Sequence, residues 1–274
     1  MIRLTFAFAL TFAFTPRAHA ETVCDNARHP GLTDGPVTIG YADAELGTGH
    51  RACLRDEIGL GERAGAIIDT PGFYGALNAD TLLTATHVFA RRFELFGALE
   101  LVHYQFAQNA TLKGSSVGLG QLTVGGAFQA LAGRAWAVTP YVRLELPTSS
   151  DAPDVRTVGG ELGVAVDFRP YRKVMFHGYL GGDLTAGLSA APSLVRGGAQ
   201  ADVGVQYSPA TWIGLVLDLR LALGHRAALD WLAPAVAFRF RFWRTLGAEL
   251  AAELPVAGAD RHLVAFALRL TYRY

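Results

Sequence analysis

From Val264 to the chain's end every second residue is apolar or aromatic: Val264, Phe266, Leu268, Leu270, Tyr272 and Tyr274. Between them stand Ala265, Ala267, Arg269, Thr271 and Arg273. Successive side chains of a strand point to opposite faces, so such a segment forms a strand with one greasy and one polar face. The same period recurs upstream. Ile213, Leu215, Leu217, Leu219, Leu221 and Leu223 alternate with residues that include Asp218 and Arg220. Leu232, Val236, Phe238, Phe240 and Phe242 alternate with Arg239 and Arg241, and Leu246, Leu250 and Leu254 with Glu249 and Glu253. Val158, Leu162, Val164, Val166 and Phe168 alternate with Glu161 and Asp167. No later stretch offers eighteen uninterrupted apolar residues, so transmembrane helices are not expected.

Alternation by itself fits a soluble sandwich as well as a wall between lipid and water. Composition and export separate the two. Only 18% of the 274 residues are charged, against about 25% in a soluble domain. Lys+Arg and Asp+Glu balance at 24 each, which argues against nucleic acid as a partner. Sixteen Phe, nine Tyr and four Trp argue against disorder. Arg3, the apolar run Leu4 to Phe14 and the small-x-small triplet Ala18-His19-Ala20 read as a secretory signal peptide over 1–20. The expected fold is all-β: a closed transmembrane antiparallel up-and-down barrel over 61–274.

Strands are expected near 61–69, 81–90, 93–106, 119–131, 135–146, 157–168, 174–186, 195–207, 211–223, 230–242, 244–255 and 262–274. Tight connectors fall at Ala90-Arg92, Ala132-Arg134, Arg169-Lys173, Ser208-Ala210 and Trp243. Longer ones cover 107–118, 147–156, 187–194, 224–229 and 256–261. Outer-membrane barrels keep short turns in the periplasm and longer loops outside. With the N-terminus in the periplasm, 61–69 is needed as a first strand, and the total becomes an even twelve. Phe89, Phe93, Trp136, Phe168, Tyr171, Tyr207, Trp212, Phe242, Trp243, Tyr272 and Tyr274 gather at the short-turn ends. Aromatic rings with a polar tip favour the headgroup region, so these residues read as a girdle.

In these features the chain resembles Gram-negative outer-membrane β-barrel proteins. Its end, with Tyr274 last and apolar residues at alternate positions before it, is similar to that family's assembly signal, with Tyr where Phe is usual. The resemblance implies that Tyr272 and Tyr274 meet a barrel-assembly machinery, and that the wall meets outer-membrane lipid and lipopolysaccharide. Gly118-Leu-Gly-Gln-Leu-Thr-Val-Gly125 and Leu144-Glu-Leu-Pro-Thr148 resemble strand starts and ends of phenol-degradation-pathway outer-membrane transporters. That resemblance implies a pore or transporter for small, partly apolar solutes, and it carries over no binding residue.

Alternation also assigns a lumen face. Its acids are Glu94, Glu100, Glu145, Glu161, Asp167, Asp183, Asp202, Asp218, Glu249 and Glu253. Its bases are Arg143, Arg220, Arg239, Arg241, Arg269 and Arg273. An acidic excess predicts a preference for cations if the charges line water. If they pair across strands, they hold a plugged, structural barrel together.

The only cysteines, Cys24 and Cys53, lie in the segment 21–60 before the barrel, and export favours a disulfide between them. That segment fits either a periplasmic tail or a lumen plug. No catalytic, cofactor or metal site is read, and the lesser alternative, an outer-membrane lipid hydrolase, would need a Ser–His pair on the outer wall. His87, His103 and His177 sit in no serine-nucleophile motif, and His177 is expected inward near Asp183 as a polar lumen residue.

Overall fold

A computed structural model of the chain describes residues 22–24, 51–69, 74–108, 113–148, 157–187, 195–224, 228–243, 245–258 and 264–274. The expected signal peptide lies outside the described residues. The strands in chain order are β1 (Glu57–Asp69), β2 (Tyr74–Phe89), β3 (Phe93–Gln108), β4 (Lys113–Gly118) and β5 (Gln121–Phe128). They continue with β6 (Leu131–Ala132), β7 (Trp136–Pro147), β8 (Thr157–Tyr171), β9 (Val174–Gly187) and β10 (Val195–Ala210). The last are β11 (Ile213–Leu223), β12 (Leu229–Phe242), β13 (Leu246–Glu253) and β14 (Val264–Arg273).

Neighbours pair antiparallel around one sheet, and β1 joins β14 from Glu57↔Arg273 to Ala66↔Val264. The result is a closed up-and-down barrel of twelve wall strands. The two short pieces, β4 against β3 and β6 against β7, are additions to that wall. Closure removes the edges that an open sheet would leave unpaired in lipid.

Strands β8 and β10 run on to Tyr171 and Ala210, into the expected connectors, and three larger differences from the sequence reading lie earlier in the chain. Strand β1 begins at Glu57 and not at Gly61, and β2 begins at Tyr74 and not at Thr81. The first half of β2 alternates faintly, because Gly75 and Ala79 occupy positions where other strands carry large residues. The expected strand 119–131 is broken at Leu119-Gly120 and again after Phe128. The first break has a local cause. A Cβ on Gly120 would lie 1.7 Å from Glu100 Oε2, and that carboxylate accepts the backbone N–H of Gln121 at 2.9 Å. A side chain thus takes the place of a ladder bond.

Burial follows the alternation. Leu162, Leu180 and Val203 are at least 60% exposed on the outward face, while Ala165, Val216 and Ala265 are buried inside. A continuous exposed apolar belt of this kind belongs in lipid. Its lower rim carries stacked aromatics, Trp136 on Phe168 at 4.2 Å and Phe89 on Phe93 at 5.5 Å. Phe89 and Phe93 flank a three-residue turn in which Ala90 and Arg91 adopt φ of 50° and 61°. Left-handed backbone at two successive non-glycine residues fits the tight hairpin geometry.

Residues 22–24 and 51–56 pack against inward-facing residues of the wall. Cys24 and Cys53 form a disulfide. Val23, Ala52 and Cys53 are buried in a cluster with Ala137, Ala165 and Met175, inward residues near the short-turn end.

Candidate functional site

Every charged position read as inward from the sequence is buried or half-buried within the barrel. From the short-turn end outward they fall into three tiers.

The lowest tier is built around the N-terminal segment. Arg51 is 1% exposed and donates through Nη2 to Glu94 Oε2 and to Thr86 Oγ1, both at 3.0 Å. The Arg55 N–H donates to Glu94 at 2.9 Å, and Arg55 Nε lies 2.9 Å from Glu57 Oε2. Glu57 also receives Arg269, and Arg273 at 3.1 Å. The Ala52 carbonyl accepts from Thr139 at 2.6 Å and Gln129 at 3.1 Å, and the Val23 N–H donates to the Gly133 carbonyl at 2.8 Å. These bonds strap residues 51–56 across the mouth at the short-turn end. The tier is rich in guanidinium groups. Arg239 pairs with Glu249 and donates to Gln206, and Arg241 lines a small cavity with Arg55, Arg269 and Arg273. Burial, with Arg273 next in importance, pulls Arg55 down to about 9.

The middle tier is cross-linked wall to wall. Arg220 donates to Asp202 at 3.2 Å and to Glu253 at 2.6 Å, with its guanidinium 5.2 Å from the Trp231 ring centre. Arg63 donates to Asp80, which also holds His103 Nδ1 at 2.7 Å. Asp167 is buried beside this tier, opposite His177 in the register of β8 and β9. His177 does not meet Asp183 as expected; it hydrogen bonds Asp218 of β11. Six residues along one strand is about 20 Å, whereas neighbouring strands are about 5 Å apart. A lumen side chain therefore finds its partner across the wall, not along it.

The upper tier is a cavity of about 510 Å³. Glu145, Glu161, Asp183, Asp230, Arg143, Arg196, Gln200 and Trp231 are among its lining residues. Arg143 bridges two of the acids, Glu161 at 2.6 Å and Glu145 at 3.1 Å, and Tyr141 donates to Glu161. One inner wall is different. Ala235, Ala237, Ala251, Ala265 and Ala267 form a buried apolar strip with Val216 and Leu82.

The sequence reading missed Arg51, Arg55, Glu57, Arg63, Asp80, Arg196 and Asp230. Arg63 sits at an inward position within the expected first strand, where the period would have found it; Asp80, opposite it in the register, lies in the faintly alternating first half of β2. Arg51 and Arg55 lie outside any strand and carry no periodic signal. Among the described residues Asp80, Glu100 and His103 offer ligand atoms close together, but Arg63 lies against both carboxylates. A fixed guanidinium there opposes a metal cation.

No family model matches the chain, and no curated protein matches its sequence. Solved structures do match its shape. The COG4313 outer membrane channel from Pseudomonas putida F1 superposes with a TM-score of 0.63 at 12% identity, covering 81% of this chain and 96% of that one. The KdgM porin in complex with disordered oligogalacturonate superposes at 0.53 and 10% identity, covering 79% and 99%. The translocator domain of the autotransporter NalP from Neisseria meningitidis gives 0.52 at 11% identity, covering 81% and 88%. A closed wall of twelve strands with an apolar belt outside and charges within defines the class: this is a β-barrel of the bacterial outer membrane. Within that class the chain is similar to channels and porins in fold.

Proposed function

We propose that the barrel is a narrow, non-enzymatic pore for small solutes, with entry through the upper cavity and a strap at the periplasmic exit. The observation that carries this reading is the 510 Å³ cavity, lined by Glu145, Glu161, Asp183 and Asp230 against Arg143 and Arg196. Carboxylate excess in a water-lined constriction concentrates cations and repels anions. The alanine strip beside the charged walls supports solutes that are partly apolar, in keeping with the resemblance to phenol-degradation-pathway transporters. Assembly through Tyr272 and Tyr274, and contact with lipopolysaccharide, belong to the same reading.

The dense ion pairing of the lower tiers supports a second reading, a plugged barrel whose charges serve only its own stability. Planar-bilayer recording in a salt gradient separates the two. The pore reading expects discrete conductance steps and a reversal potential of cationic sign, moved toward anions by Asp183→Arg. Silence from both the native protein and a protein whose strap is released would leave the structural barrel standing.

A further inference from the structure

The lowest tier holds more guanidinium groups than its carboxylates match. Arg55, Arg239, Arg241, Arg269 and Arg273 line one small cavity, with Glu249 as the one carboxylate among its described lining residues. Glu57 reaches three of the five from beside it: Arg55, Arg269 and Arg273. Five guanidiniums against two carboxylates leave an excess of three positive charges. Counting the neighbouring Arg51, Glu94 and Asp167 still leaves six against four.

The register explains the hollow. Arg239 of β12, Glu249 of β13 and Arg269 of β14 stand side by side in one inward row. In the next row toward the short turns, Arg241 and Thr271 flank Gly247. Glycine supplies no side chain there, so the row has a gap. A Cβ on Gly247 would lie 2.7 Å from Thr271 Oγ1, which places a hydroxyl at the edge of that gap. Arg55 borders it from the strap, and Arg273 from the next inward position of β14. The hollow measures about 20 Å³, room for a single particle little larger than a water.

Its chemistry is one-sided. Guanidinium groups only donate hydrogen bonds, and the Thr271 hydroxyl can donate as well. Arg269 is 5% exposed, and its Nε has no hydrogen-bond partner among the described residues. A buried donor without an acceptor is costly, and uncompensated charge in a desolvated site costs more. Water would satisfy the donors and leave the charge. Phosphate would bring charge but needs more room than one particle's.

We propose that this cavity binds one monovalent anion of chloride's size, which ties the strap to the wall. Arg55 contributes from the strap, and Arg241, Arg269, Arg273 and Thr271 contribute from the wall. The ion's charge also lowers the positive barrier that a cation meets below the acidic upper cavity. The site stands whether or not the barrel conducts.

The test uses the full barrel in lipid vesicles, unfolded by urea in sodium chloride, sodium bromide or sodium gluconate at equal ionic strength. Gluconate is too large for the hollow. Chloride and bromide should raise the urea midpoint, and gluconate should not, because an ion that binds only the folded state stabilises it. The same two halides should slow proteolytic cleavage within residues 51–56. Gly247→Ala puts a methyl into the hollow and should abolish the difference between the salts. Arg241→Gln removes one charge from a half-buried position and should raise the half-saturating chloride concentration about tenfold, the worth of one hydrogen bond to a charged group. It decides the question if Gly247→Ala does not fold. Crystals grown in bromide should show its anomalous signal beside Gly247. The proposal is overturned by equal stability in chloride and gluconate, by a chloride effect that the folded variants retain in full, or by bromide bound only elsewhere, an adventitious ion only.

Discussion

Replacing Arg51 by Met should release the strap without dismantling the barrel. The side chain is of similar length, so the main loss is charge and hydrogen bonding. Glu57 retains Arg55, Arg269 and Arg273, and the disturbance therefore falls on Glu94. That buried carboxylate loses its guanidinium at 3.0 Å and keeps the Arg55 N–H at 2.9 Å. Removing one member of a buried pair costs about 3–5 kcal/mol, because the charge left behind stays desolvated. At about 1.4 kcal/mol per tenfold, the docked state of the strap loses two to three and a half powers of ten in relative population. The segment runs directly into β1, so it swings and is not lost. Single-channel recording should show larger or more frequent openings, and limited proteolysis should cut the segment before the wall. Glu94→Gln in the same chain should recover most of the docking, since no unpaired charge then remains. Unchanged conductance and proteolysis in Arg51→Met, or no recovery in the double variant, would refute the claim that this ion pair holds the strap.

Three other perturbations test the register, the strand break and the terminus. Leu217 is 50% exposed on the outward face, and Leu217→Arg should destabilise the barrel by about 2–4 kcal/mol in denaturant titration from lipid vesicles; a neutral result there would mean that the faces are inverted. Gly120→Ala forces a methyl against the Glu100 carboxylate, and overpacking of about 1–3 kcal/mol should lower the temperature at which the gel shift is lost, an effect absent for Gly114→Ala, which has open space. Tyr274 donates to the Thr86 carbonyl at 3.3 Å, a single part-buried contact. Tyr274→Ala should therefore reduce the amount of assembled barrel in membranes far more than it changes the melting of barrel already folded, and equal effects on both would make it an ordinary anchor.

The wall was legible in the residues because lipid outside and charge inside impose opposite demands on successive positions. Strands β8 to β14 follow that pattern within a few residues of the expected limits. It failed where the outward positions hold glycine and alanine, as in the first half of β2. It also failed where a side chain enters the hydrogen-bond ladder, as Glu100 does at Gly120. The pairing of lumen charges was not legible. His177 meets Asp218, forty-one positions away, because register across strands decides partners and sequence proximity does not. One consequence reverses an intuitive substitution. Asp218 looks replaceable by Arg on alternation alone, yet its carboxylate is fully enclosed against His177, so charge reversal belongs at the half-buried Asp183. Arg51 was invisible for a different reason, since a segment without periodicity gives no face to read.

Glu57 opens the first strand, while Arg269 and Arg273 lie in the last, more than two hundred positions later. A chain that threads itself into a membrane must end by matching its first strand to its last, and hydrogen bonds between backbones do not distinguish one alignment from the next. Here the alignments are unequal. A slip of one position turns Glu57 toward lipid and Ile58 toward the two guanidinium groups. A slip of two restores the faces but sets Glu57 opposite Thr271, and Arg273 loses the carboxylate across from it. The native alignment alone sets Glu57 straight across from Arg273, so the two closing strands carry their own proofreading, and a cylinder that seals at the wrong offset has reason to reopen.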